Sequence, residues 1–156
     1  MNLTNYFYYW QSAIPPRICD MIVRYGKEQK KIMAITGGLG RDRDLNKAPL
    51  TKNEIKDLKK KRDSNIVWFN DRWIYKEIHP YVHQANVKAG WNFIWDYSES
   101  CQFTIYKKGQ YYDWHCDSWD KPYAEGFTKG KIRKLSVTVS LTDPKAVSYT
   151  HLTLPT

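Results

Sequence analysis

The chain lacks any apolar run long enough to cross a bilayer as a helix, which argues against a membrane-spanning protein. Its first ten residues have neither the basic start nor the small-residue cleavage site of a signal peptide. Three cysteines cannot all pair, and none has the C-x-x-C spacing of a metal site. No internal repeat is apparent. We therefore expect a cytoplasmic protein with no membrane partner.

Aromatic residues, in contrast, are abundant. They make up 15% of the 156 residues, with seven Trp and twelve Tyr. A chain of this length can bury a single core, and this aromatic content excludes disorder over most of it. The composition therefore indicates one globular domain.

Basic residues are concentrated in one part of the chain. Residues 24–62 hold 13 Lys and Arg against 5 Asp and Glu, whereas the rest of the chain holds 12 against 11. Such a segment is typical of a solvated loop and helix, or of a surface for nucleic acid or another acidic partner. Residues 56–62 lack interleaved aromatics on which bases could stack, so we favour the solvated surface and keep a binding module as the alternative.

Hydrophobic spacing predicts helices first and strands later, the order typical of an α+β fold. Predicted helices cover residues 17–29, the lysine-rich stretch from residue 51, and residues 72–87. A capping box of Thr51 and Glu54 begins the second helix. Predicted strands cover residues 6–10, 65–69, 91–97, 100–107, 111–115 and 131–142.

The most informative motif is His115-Cys-Asp117. Side chains two apart on a strand leave from the same face, so the motif predicts an imidazole and a carboxylate at one point. These are two of the three ligands in the facial triad of non-haem Fe(II) oxygenases. A surface strand can also carry H-x-D by chance, and spacing alone leaves the two interpretations equally open.

A longer pattern surrounds this motif. Tyr106-x-x-Gly-x-Tyr-Tyr-x-Trp-His-x-Asp-Ser118 precedes Arg133-Lys-Leu-Ser-Val-Thr-Val-Ser-Leu-Thr-Asp-Pro144. The pair resembles the Fe(II)- and 2-oxoglutarate-dependent prolyl 4-hydroxylase-like dioxygenases, above all those of bacteria and their phages, over residues 102–144. The resemblance implies a single domain over residues 1–145, with N-terminal helices packed on a double-stranded β-helix, or jelly-roll, that is incomplete at its C-terminus.

The resemblance also implies roles for individual residues. His115 and Asp117 match the family's first two iron ligands. Tyr106 matches a tyrosine that faces the 2-oxoglutarate or metal pocket. The implied activity is hydroxylation of a prolyl or other peptide side chain, with Fe(II), 2-oxoglutarate and O₂ as cofactors and ascorbate to keep the iron reduced.

Three further residues have weaker support from the resemblance. Tyr112 lies where the family often places an aromatic residue on the substrate side. Ser136 and Ser140 share one face of the predicted strand 131–142 and match positions beside the cosubstrate. Ordinary packing is an equal alternative for all three. The implied partner is a peptide or protein substrate, in the cytoplasm of a bacterium or a phage-infected cell, and the sequence leaves the oligomeric state open.

The sequence departs from the family pattern after Pro144. The family's later strands, its distal His ligand, and the Arg or Lys that binds the far carboxylate of 2-oxoglutarate have no counterpart. Residues 146–156 contain no charged residue and resemble translated adaptor sequence, so we expect a non-native tail on a truncated domain. We do not expect His151 in this tail to be the third ligand, because no Arg or Lys follows it.

One other histidine pair has metal-compatible spacing. His79 and His83 lie four apart in a predicted helix. The glutamate of an H-E-x-x-H motif is missing, and Pro80 lies between them. We therefore expect partly buried histidines of an amphipathic helix.

Overall fold

The structure is a computed structural model that describes residues 6–36, 48–118 and 121–142. The chain divides into two compact units. The helical unit takes its described residues from 6–24, 71–99 and 115 onward, and the sheet unit takes them from 25–70 and 100–114. In chain order the elements are α1 (Pro16–Glu28), β1 (Ile32–Met33), α2 (Lys52–Lys61), β2 (Arg62–Asp63), β3 (Asn65–Phe69), α3 (Arg72–Lys88), β4 (Cys101–Ile105) and β5 (Tyr111–Tyr112).

Two small antiparallel sheets form the sheet unit. One has the strand order β1-β3-β4, with Asn65 opposite Ile105, and the other pairs β2 with β5, with Asp63 opposite Tyr111. Between these pairings, the single residue Ser64 stands opposite the five residues 106–110. That segment turns back at Gly109, whose φ of 81° falls in the left-handed region that glycine adopts without strain.

The core of the sheet unit is aromatic. Phe69 on β3 stacks on Phe103 of β4 with ring centroids 5.5 Å apart, and Tyr25 of α1 lies 5.2 Å from Phe69. A Cβ atom added at Gly26 would lie 2.5 Å from the Phe103 ring. The absence of a side chain at Gly26 is therefore what lets this ring pack against α1.

The predicted capping box at the start of α2 is confirmed. The Glu54 amide donates to Thr51 Oγ1 over 3.3 Å, and the Thr51 amide donates to Glu54 Oε2 over 2.7 Å. Both bonds satisfy amide groups that a helix start leaves without intrahelical partners. The rest of α2 is mostly exposed, with Leu58 as its buried residue. The predicted extents of α1 and α3 are also close to those observed.

The strand predicted over residues 6–10 is wrong, because this aromatic segment packs on α3 instead of joining a sheet. Trp10 Nε1 donates to the Tyr81 carbonyl over 3.3 Å, and the two rings lie 5.9 Å apart. The Tyr81 hydroxyl in turn donates to the Ala13 carbonyl over 2.5 Å. Trp10 of this segment therefore contacts a helix, and the alternation of aromatic residues here does not indicate a strand.

The strand predicted over residues 91–97 is also wrong. Asn86, buried near the end of α3, donates to the Phe93 carbonyl over 2.8 Å and accepts from the Phe93 amide over 3.1 Å. One side chain thus satisfies the backbone groups that a neighbouring strand would have bound. The predicted strand 131–142 likewise pairs with no strand among the described residues.

The fold is therefore a small α+β arrangement with three helices and a few antiparallel strands among the described residues. Those residues close no barrel, and the jelly-roll stays a prediction, as does the single domain over residues 1–145. Residues 146–156, with His151, lie outside the described part. In that part, every helix is too short or too polar to traverse a lipid bilayer.

Candidate metal centre

His115 and Asp117 meet through a loop and not through a strand. β5 ends at Tyr112, so the predicted strand 111–115 is too long, and the argument from a shared strand face is wrong. The chain turns after Asp113, whose carboxylate accepts the Trp114 amide over 2.8 Å. His115 Nε2 nevertheless lies 3.1 Å from Asp117 Oδ1. The predicted convergence of imidazole and carboxylate is therefore present by another route.

The separation of these two atoms fits common coordination of one metal ion. Two donors held at right angles on a metal, each about 2.1 Å from it, stand about 3.0 Å apart. The observed 3.1 Å also suits a direct hydrogen bond from protonated Nε2. The side chains are 35% and 46% exposed, so a small ligand can reach both. Metal and proton would compete for the same imidazole nitrogen.

The Asp117 carboxylate is held from its other side. Ser136 Oγ donates to Asp117 Oδ2, and an Arg133 Nη1 hydrogen bond reaches the Asp117 backbone carbonyl. Ser118 Oγ donates back to the Arg133 carbonyl over 2.7 Å. Three hydrogen bonds thus join the H-x-D loop to the segment 131–142. Outer partners of this kind orient a metal-binding carboxylate and leave its second oxygen free to coordinate.

Arg133 is itself fixed by Glu99. Its Nε donates to Glu99 Oε1 over 3.1 Å and its Nη2 donates to Oε2, a two-pronged contact between guanidinium and carboxylate. The Tyr123 hydroxyl adds a third bond to Glu99 Oε1 over 3.1 Å. Burial pulls the pKa of Arg133 down, but the hydrogen bond and charge of Glu99, with smaller contributions from Tyr123 and Asp117, raise it above its ordinary value.

A second ion pair lies beside this one. Lys131 binds Asp96, and this hydrogen bond lowers the pKa of the Asp96 carboxyl. The Glu99 backbone carbonyl also accepts the Tyr75 hydroxyl of α3 over 3.0 Å. The segment 96–99 is therefore tied both to α3 and to the residues that hold Asp117.

The third protein ligand of a facial triad is not found in the described part of the chain. There, His, Cys, Asp and Glu form no group of three that could hold a metal ion. His115 and Asp117 fit a metal as a pair. Of the other predicted residues, Ser136 contacts Asp117, whereas Ser140 lies exposed farther along the same segment.

Tyr106 and Tyr112 belong to the sheet unit. Tyr112 lies opposite Arg62, whose guanidinium carbon is 4.4 Å from the centroid of the Tyr112 ring. Arg62 is buried and donates to Ser64 Oγ over 2.8 Å and to Gln102 Oε1 over 2.5 Å. The Tyr112 ring thus packs on Arg62, and Tyr106, just after β4, is 43% exposed.

His79 and His83 have partners on the segment that follows α3. The Ser98 hydroxyl lies 3.2 Å from His79 Nε2, and the Trp95 ring stacks on His83 with centroids 4.1 Å apart. Burial, and then the neighbouring His83, lower the pKa of His79. The two imidazoles themselves are 6.4 Å apart, edge to face.

Sequence reasoning missed Glu99 and the role of Arg133. The two residues are 34 positions apart: Arg133 lies in the predicted strand 131–142, and Glu99 lies between the predicted strands 91–97 and 100–107. An acidic residue between Ser98 and Ser100, and a basic residue at the start of the strongest β-pattern, were the available signals. Nothing in a single sequence pairs them.

Comparison with known proteins adds no family to this description. The chain matches no protein-family model, no curated protein and no solved structure.

Proposed function

We propose that this chain carries part of the active site of an Fe(II)- and 2-oxoglutarate-dependent dioxygenase that hydroxylates a prolyl or other peptide side chain. His115 and Asp117 are the proposed iron ligands. The proposal joins the residue pattern of 106–144 to one geometric observation. Nε2 of His115 and Oδ1 of Asp117 stand 3.1 Å apart, the separation expected of neighbouring ligands on one metal.

Support from outside the ligand pair strengthens the proposal. A metal-binding carboxylate is usually hydrogen-bonded to a partner that fixes its orientation, and Ser136 occupies that position on Asp117. Arg133 restrains the backbone of the same residue, and Glu99 restrains Arg133. An H-x-D motif that occurred by chance on a surface loop would not require these supporting hydrogen bonds.

The cofactors would supply the oxidising chemistry when bound, and the chain's own residues would supply position. Neutral His115 and ionised Asp117 would donate to the metal, and Ser136 would keep Asp117 in place. The proposal requires a third ligand and a cation for the far carboxylate of 2-oxoglutarate. Tyr106 and Ser140 remain proposed contacts of the cosubstrate, and Tyr112 remains a proposed substrate-side residue.

Metal binding tests the proposal directly. Anaerobic equilibrium dialysis of Fe(II), and Mn(II) binding followed by electron paramagnetic resonance, would be compared for the full chain, His115→Ala and Asp117→Ala. We expect each substitution to weaken binding at least about tenfold, because each removes one of two protein ligands. Two ligands bind less tightly than three, so the unmodified chain should itself bind weakly.

His83→Ala is the matched control, because His83 is an exposed histidine outside the pair. It should leave Fe(II) binding unchanged. Equal metal binding by the unmodified chain, His115→Ala and His83→Ala would overturn the proposal. Fe(II) binding that is lost in His115→Ala and kept in His83→Ala would support the metal site, whereas succinate formation also needs the third ligand and the cation that the proposal requires.

A non-catalytic binding module is the second candidate. α2 places exposed lysines on the surface of the sheet unit, although Lys59 pairs with Asp63 and Lys60 with Asp57. Those pairs offset part of the positive charge that would attract nucleic acid. Salt-dependent oligonucleotide binding that is lost on charge reversal in α2 would favour this candidate. For either function we propose a cytoplasmic location, supported by a count of three cysteines, which cannot all pair with one another.

A further inference from the structure

A groove of about 460 Å³ runs along one face of α3. It is lined by Arg72, Tyr75, Lys76, His79, Pro80 and His83. Their spacing of three to four residues places them in one stripe along the helix. The volume falls within the range of sites that hold a small ligand or a few residues of a peptide.

The groove carries positive charge that the described residues leave unmatched. Arg72 and Lys76 are exposed and one helical turn apart, and neither forms a hydrogen bond or ion pair with the described residues. Asp71, the N-cap of α3, is the acidic residue at this end of the helix and the first turn adds no other, so the positive charge of the groove comes from Arg72 and Lys76. Two cations at this spacing can meet two carboxylates of one extended ligand.

The far end of the groove is aromatic and already ordered. Tyr75 and His79 have ring centroids 5.3 Å apart, and His83 stacks on Trp95 at 4.1 Å. The Ser98 hydroxyl, 3.2 Å from His79 Nε2, fixes that imidazole. Side chains held this way lose little conformational freedom when a ligand binds, so their contact area contributes to affinity.

We propose that this groove binds an acidic peptide segment of a partner protein, with its carboxylates on Arg72 and Lys76 and an apolar side chain against Tyr75 and Pro80. The aromatic end does not suit a nucleic acid. Bases stack on free ring faces, and His83 already covers one face of Trp95. Two cations are also few for a polyphosphate backbone. The groove is independent of the proposed iron chemistry.

Fluorescence anisotropy tests the proposal with a fluorescein-labelled peptide that alternates Glu with Leu and Pro. The matched probe has Gln in place of every Glu. We expect the acidic peptide to bind the full chain at least tenfold more tightly than the Gln peptide. R72E/K76E should lose at least tenfold in affinity for the acidic peptide, and R72A/K76A should lose less, because it removes charge without adding repulsion.

K52E/K56E is the matched control variant. Lys52 and Lys56 are exposed on α2 at the same spacing, outside any described aromatic groove. This variant should bind the acidic peptide as the unmodified chain does. Absence of binding, equal binding of both peptides, or equal loss in both reversal variants would overturn the proposal. A single-stranded oligonucleotide that binds more tightly than the peptide, and is released by R72E/K76E, would overturn it in favour of nucleic acid.

Discussion

The hydroxyl of Ser136 donates a hydrogen bond to Oδ2 of Asp117, on the side of the carboxylate away from His115. The bond leaves Oδ1 turned toward the imidazole. Because the hydroxyl carries no charge, its effect on a bound metal is one of orientation.

Ser136→Ala should therefore weaken Mn(II) or Fe(II) binding by about tenfold or more, because Asp117 can then rotate away from the metal. Ser140→Ala is the control, since Ser140 lies exposed on the same segment. Binding would be measured by equilibrium dialysis. An identical metal affinity in the two variants would contradict a positioning role for Ser136.

Arg133→Lys should lower the free energy of unfolding by about 1 kcal/mol. A lysine cannot keep both the two-pronged contact with Glu99 and the bond to the Asp117 carbonyl. Urea denaturation would measure the change. Lys131→Arg preserves a single ion pair with Asp96 and should change stability by less than about 0.5 kcal/mol. Equal effects of the two substitutions would refute the special geometry of Arg133.

Gly26→Ala should destabilise the chain by about 1–3 kcal/mol, because its Cβ would lie 2.5 Å from the Phe103 ring. Thermal and urea denaturation would measure the loss. Phe103→Leu should rescue part of it in the double variant by making room. Gly126→Ala is the control: φ at Gly126 is 72°, with open space around it, so its cost is conformational. Phe103→Leu should not rescue that variant.

Arg62→Met should cost about 2 kcal/mol or more, because it leaves Ser64 and Gln102 without a charged donor in a buried site. It also removes the cation above the Tyr112 ring. Lys61→Met, at an exposed neighbouring position, should stay within about 0.5 kcal/mol. Chemical denaturation of both variants would check this, and similar losses would argue against a buried structural role for Arg62.

Acidification should destabilise the surroundings of His79. Burial and His83 lower the pKa of His79, so the folded chain binds this proton less readily than the unfolded chain. The contribution to stability is complete above the unfolded value of about 6.5 and is lost as pH falls through the folded value. Urea midpoints between about pH 7.5 and 5 should fall more steeply for the unmodified chain than for His79→Asn. Parallel curves would contradict the assignment.

Local signals predicted the helices well. The Thr51 and Glu54 capping box is a short-range chemical pattern, and the apolar stripe of α1 depends only on helical spacing. Strands were harder, because a strand needs a neighbour that may be far along the chain. Residues 91–97 alternate as a strand would, yet the Asn86 side chain binds Phe93 instead. Strand propensity alone does not predict that a side chain, and not a neighbouring strand, will bind these backbone groups.

The sequence identified residues of the candidate site but not the contacts that hold them together. The H-x-D spacing identified His115 and Asp117, although a loop and not a strand brings them together. Ser136 was placed nearby on the basis of resemblance, and its bond to Asp117 is a contact that the pattern did not specify. Glu99 was missed entirely, because its pairing with Arg133 depends on how distant segments meet.

The pairing around Ser64 has a consequence for the length of the segment 106–110. Asn65 faces Ile105 and Asp63 faces Tyr111, so five residues span a step that one residue makes on the opposite strand. Residues 106–110 lie between β4 and β5 and belong to neither strand. A residue added or removed there changes the size of this turn, whereas one added within Tyr111–Tyr112 would place another side chain over Arg62. The length of this segment can therefore vary without changing the register of the strands on either side of it.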